Sequence, residues 1–124
     1  HVKLSQPLIT PFSMLPKLVK KDLKNKEILD FGIKIGDKGF KFNQNHCELP
    51  CSEVFAYSLA VSNSGKANQI ILAGFDGFQA EDPRRKEMDE ILKIYKKNPR
   101  SLSLQSITPT RYEIPVRSIF GLNL

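Results

Sequence analysis

At 124 residues the chain can build one hydrophobic core and is too short for two independent ones. Hydrophobic residues at 40% and charged residues at 26% exclude a disordered composition, and no apolar run approaches the length of a membrane span, so no membrane association is expected. The formal net charge of +6 raises a nucleic-acid partner, but lysines and arginines concentrate only at residues 17–26 and around Lys93, Lys96 and Lys97, on predicted helices and without a DNA- or RNA-binding motif.

No nucleic acid is therefore expected, while an anionic ligand such as a nucleotide stays compatible with the charge. Two cysteines, Cys47 and Cys51, make no disulfide framework, which points to a reducing, cytoplasmic setting. The chain opens on His1 without an initiating methionine and reads as a C-terminal fragment of a longer protein.

In chain order, Leu8-Ile9-Thr10 reads as a short strand ended by Pro11. A helix follows from Pro16 to about Asn25. Leu15, Leu18, Val19 and Leu23 form its apolar stripe, with lysines opposite, so it is expected to cover the sheet from outside. From Ile28 to Phe42 the period changes to two. Phe31, Ile33 and Ile35 alternate with polar or small residues, Gly36-Asp37-Lys38-Gly39 is a turn signal, and Phe40-Lys41-Phe42 resumes the alternation, which predicts a half-buried hairpin.

Residues 43–51 read as a polar loop. His46, Cys47, Glu48 and Cys51 raise a metal site, but no second pair of ligands completes four, and neither a metal nor a catalytic residue is expected. Ser52 is placed to cap a helix carrying Val54, Phe55, Ala56, Leu59, Ala60 and Val61 and ended by Gly65. Its amino end offers free N–H groups either to an anion or to a cap and water.

Ile70-Ile71-Leu72-Ala73 is an unbroken apolar run, as expected of a central strand buried on both faces. Gly74, Phe75, Asp76 and Gly77 then lie just past its carboxyl end, where ligands bind in open α/β sheets. Asp82 and Pro83 start a second long helix whose core face is Met88, Ile91, Leu92 and Tyr95, and Asn98-Pro99 stops it. Arg84 and Arg85 sit in its first turn against the macrodipole. They are candidates for a phosphate or carboxylate, with Glu81 and Asp82 as the alternative neutralising partners.

The last predicted strand, residues 102–107, ends in Thr108-Pro109-Thr110, which echoes Ile9-Thr10-Pro11. If both strands run parallel to the central one, Thr10, Thr108 and Thr110 converge with Gly74, Phe75, Asp76 and Gly77 on one rim. The plainer reading is that Thr-Pro is good turn chemistry at a strand end. Residues 112–120 form an amphipathic extended tail lying against the domain. The fold class expected is a single α/β domain over residues 1–124, a small three-layer Rossmann-like arrangement with a parallel core sheet and an attached β-hairpin.

Several stretches carry a resemblance: Cys47-Glu48-Leu49-Pro50, Ala60-Val61-Ser62-Asn63-Ser64-Gly65, Leu72-Ala73-Gly74-Phe75-Asp76-Gly77-Phe78, Asp82-Pro83-Arg84-Arg85-Lys86-Glu87-Met88 and Ile107-Thr108-Pro109-Thr110. Over about residues 45–120 the chain resembles the C-terminal module of bacterial proteins similar to hydroxymethylglutaryl-CoA lyases and 4-hydroxy-2-oxovalerate aldolases, found in surface-polysaccharide gene clusters. The resemblance implies that lyase chemistry and its divalent metal belong to a covalently linked barrel domain. A looser likeness, of fold type alone, is to bacterial sialyltransferases that bind a sugar nucleotide.

The expected function is a noncatalytic module binding a nucleotide or sugar nucleotide, or an interaction module, within a larger enzyme of polysaccharide or sugar metabolism. A glycosyltransferase-like enzyme and an assembly domain without ligand are the alternatives. The residues specify no cofactor.

Overall fold

Proline sets the first boundaries. In the computed structural model, which describes residues 6–121, β1 (Leu8–Thr10) stops at Pro11, a 3-10 turn follows (Phe12–Met14), and Pro16 precedes α1 (Lys17–Asp22). His1 lies outside the described residues. β2 (Ile28–Asp30) runs parallel to β1, with Thr10 opposite Asp30. Asp30 also fixes the turn after β1, accepting from the Ser13 backbone N–H and from its hydroxyl.

β3 (Gly32–Ile35) follows β2 with only Phe31 between them. The Phe31 N–H donates to Thr10 at 3.0 Å and the Gly32 N–H to Asn45 at 2.9 Å, so one extended segment leaves its partner on one edge and takes another on the opposite edge. That second partner corrects two expectations. β5 (His46–Leu49) lies between β3 and β4 (Lys41–Phe42), parallel to β3 and antiparallel to β4.

The hairpin expected from β3 through Gly36–Gly39 to β4 is therefore absent: β3 and β4 do not pair with each other, and a different hairpin joins β4 to β5 through residues 43–45. The stretch from Gly36 to Phe40 leaves room for a strand between them. The supposed polar loop supplies that strand, since Cys47 and Leu49 alternate inward and both are 0% exposed.

α2 (Val54–Ser64) returns over this sheet, and β6 (Ile70–Leu72), α3 (Pro83–Lys97) and β7 (Leu104–Ser106) complete the order. β6 and β7 are parallel, Ile70 opposite Leu104. Among the described residues β6 pairs only with β7 and its three residues are half-buried, so the central position expected for it belongs to β5. The apolar run is thus neither fully buried on both faces nor flanked on both edges, since composition says nothing of how many strands pair with it.

α1 is also corrected: Leu18 is 76% exposed and Val19 41%, so its stripe does not cover a sheet. Among the described residues the result is a mixed α/β arrangement with three α-helices and three small sheets, two of them parallel pairs, and no sheet closes into a barrel.

The core joins Phe31, Phe40, Phe42, Cys47 and Leu49 from the sheet to Ala56, Leu59 and Ala60 of α2 and to Ile91, Leu92 and Tyr95 of α3. The Tyr95 ring meets Phe40 edge-on at 5.3 Å. Its hydroxyl accepts from the Asn63 amide at 2.6 Å and from the Leu102 N–H at 3.1 Å, and Asn63 Oδ1 accepts from the same Leu102 N–H at 3.0 Å. One buried hydroxyl thus ties α2, α3 and the approach to β7. Tyr95→Phe keeps the packing and strands the Asn63 donor, so it should lower stability by about 1–3 kcal/mol, read as a lower urea midpoint at unchanged slope.

Cys47, buried beneath α2, has its thiol pushed up to about 11 by desolvation. The neutral thiol is thus favoured by folding: its contribution to stability is complete below the unfolded cysteine value and is lost as pH rises from there toward about 11. Urea midpoints measured from pH 7 upward should fall more steeply above pH ~9 in the native sequence than in Cys47→Ala; parallel profiles would contradict a buried neutral thiol.

Candidate functional site

The loops after β6 and β7, which hold most of the candidate site residues, are bonded together. Beyond β6 and β7 the pairing continues as the Ile107 N–H donates to Leu72 at 3.0 Å; the Gly74 N–H then donates to the Thr108 hydroxyl at 2.9 Å, and the Arg111 N–H to the Asp76 carbonyl at 2.9 Å. Gly74 has φ +68° and Gly77 φ +96°, conformations that side chains rarely adopt. Gly77 is also held sterically, because a Cβ there would lie 2.9 Å from the Tyr112 ring.

Phe75 turns inward between two rings, stacked on Phe55 at 4.4 Å and next to Tyr112 at 5.1 Å. It anchors the loop. Asp76 points the other way: it is exposed, and its carboxylate makes no hydrogen bond or ion pair among the described residues. The Thr108 and Thr110 hydroxyls accept from backbone N–H groups, Thr110 from Tyr112 at 3.3 Å, and neither donates a hydrogen bond among the described residues. Gly74, Phe75, Asp76, Gly77, Thr108 and Thr110 are therefore one cluster.

The remaining predicted residues divide. Arg84 is held by Asp82, which caps α3 and accepts from the guanidinium at 3.0 and 2.6 Å; the guanidinium also lies over the Phe78 ring at 4.3 Å. This is the neutralising alternative, and it keeps the Asp82 carboxyl below the usual carboxylate range. Arg85 is less constrained, 3.8 Å from Asp89 one turn on.

Thr10 stands in a different sheet, beside Asp30, and no hydrogen bond among the described residues joins it to the cluster. Its neighbour Pro11 lines a small cleft of about 170 Å³ with Ile33, Ser52, Glu53, Val54 and Tyr57, at the amino end of α2. Phe55, in the same first turn, carries the stack to Phe75. The first turn of α2 thus lies between the loop after β1 and the loop after β6.

That helix start is not capped as expected. Glu53, not Ser52, takes the N-cap position, and its side chain makes no capping hydrogen bond. The sequence reading missed Phe55, Arg111 and Tyr112 at this site. Tyr112 had a signal, its alternation with Ile114 in the tail, both of them buried. Arg111 had none, because its main chain makes the contact.

Among the described residues no group of three or more His, Cys, Asp or Glu side chains is placed to hold a metal ion, and no helix is long and apolar enough to cross a membrane. No family model, curated protein or solved structure matches the chain.

Proposed function

We propose that the chain is a noncatalytic ligand-binding module, a Rossmann-like three-layer α/β domain that takes a nucleotide or sugar nucleotide at the rim formed by the loops after β6 and β7. The observation that carries this reading is the pairing of those loops through Thr108 and Arg111. The same loops carry an exposed Asp76 carboxylate with no partner among the described residues, and two threonine hydroxyls that there accept but do not donate. Asp76 accepts from ribose or sugar hydroxyls, the threonines donate to ring or hydroxyl oxygens, and Gly74, with nothing within 4 Å of its Cβ position, admits close approach.

The larger context, a lyase- or aldolase-like protein of bacterial polysaccharide or sugar metabolism, draws its support from the sequence resemblance alone. Calorimetric titration with nucleotides and sugar nucleotides tests the binding. Asp76→Asn should weaken the ligand that binds by about tenfold, the loss of one charge-assisted hydrogen bond. Sugar transfer by the isolated chain would overturn the noncatalytic reading.

A second reading, an assembly domain, draws on the apolar side chains exposed along β1, α1 and β2, among them Ile9 at 40%, Leu18 at 76% and Leu29 at 48%. Self-association in sedimentation, with no heat from any ligand, favours it.

A further inference from the structure

A groove of about 540 Å³ runs along α3, between the helix and the segment that carries Arg111 and Glu113. Arg85, Lys93, Lys96 and Lys97 line it from the helix and Arg111 from the facing wall, five cations against the carboxylates of Asp89 and Glu113. On the helix, positions 85, 89, 93 and 96 follow one face, a row of roughly 16 Å at the rise of an α-helix. The charge is only partly met within the chain. Arg85 and Asp89 are 3.8 Å apart, Lys93 reaches Glu90 outside the groove at 3.8 Å, and Lys96 donates to the Glu113 carbonyl. Lys97 and Arg111 make no ion pair among the described residues.

The groove opens beside the candidate site. The Arg111 N–H is bonded to the Asp76 carbonyl, and the Arg111 Cβ lies 3.2 Å from the position of a Cβ on Gly77. A ligand whose hydroxyls meet the Asp76 carboxylate must carry any phosphate away from that negative charge. Arg84 is already committed to Asp82, which leaves this groove as the neighbouring concentration of positive charge.

We propose that the α3 groove is the anion-binding arm of the site and holds a diphosphate, with Arg111 and Arg85 at its mouth and Lys93 and Lys96 further along. Cations on both walls suit a group bearing several charges over a few ångströms better than a single carboxylate, and the guanidiniums supply paired donors matched to phosphate oxygens. The assignment of the arm rests on the proposed function only for the hydroxyl-bearing part of the ligand.

The test uses inorganic pyrophosphate and orthophosphate, titrated into the full chain at low ionic strength and followed by backbone amide shifts. Saturable pyrophosphate binding is expected at residues 85–97 and 111–113, at least tenfold tighter than orthophosphate and weakened at least tenfold in the double variant Lys93→Gln, Arg111→Gln. The double variant Lys17→Gln, Lys21→Gln, at two exposed lysines of α1, serves as the charge-matched control and should bind as the native chain does. Absent pyrophosphate binding, equal affinity for the two anions, or equal affinity in the groove variant and the control each overturns the assignment. Pyrophosphate bound normally by a chain that binds no sugar nucleotide supports the arm and counts against the proposed function alone.

Discussion

Gly77→Ala should destabilise the chain by about 2–4 kcal/mol, the combined cost of forcing a side chain into a left-handed backbone and of overpacking a ring. Two features act together: Gly77 has φ +96°, and the new methyl would meet Tyr112 Cε2 at 2.9 Å. Tyr112 cannot easily withdraw, because it is 5% exposed, lies 5.1 Å from Phe75, and its hydroxyl accepts from the Phe78 N–H at 3.3 Å. Gly74→Ala is the control. Its φ is +68° but nothing lies within 4 Å, so strain alone, about 1–2 kcal/mol, should remain. Urea midpoints for the pair separate the terms; equal costs would mean that the Tyr112 contact does not hold the loop.

Leu49→Ala should cost about 3–5 kcal/mol, a large share of the stability of a small domain. Leu49 is 0% exposed, at the end of the strand paired on both sides and packed beneath α2. The same truncation at Leu18, 76% exposed on α1, should stay within about 0.5 kcal/mol. A small loss at Leu49 would return residues 46–49 to the loop that their polarity suggested.

Legibility in the sequence followed how local each signal was. α3 was readable from Asp82-Pro83 and from Met88, Ile91, Leu92 and Tyr95, because a cap and a period of 3.6 are properties of one segment. β5 was not, since His46 and Glu48 make the stretch polar and its alternation of outward and inward positions spans only four residues. Its insertion between β3 and β4 is a matter of pairing, which no single segment encodes. At the site, Gly74, Gly77 and Asp76 were legible from the glycine bracket at a strand end, and Thr108 from its Thr-Pro turn. Phe75 was placed correctly in sequence, but its burial between Phe55 and Tyr112 depends on two distant segments meeting. Thr10 illustrates the limit of the echo: the same Ile-Thr-Pro triplet ends a strand in a different sheet.

The most direct measurement is a backbone amide titration of the native chain with a panel of nucleotides and sugar nucleotides. At least one ligand should shift the amides of residues 74–78 and 108–112 in a saturable way, leave β1 and β2 unmoved, and lose most of its effect in Asp76→Asn. Saturable shifts confined to other surfaces, or none from any ligand, would contradict a binding rim at the ends of β6 and β7.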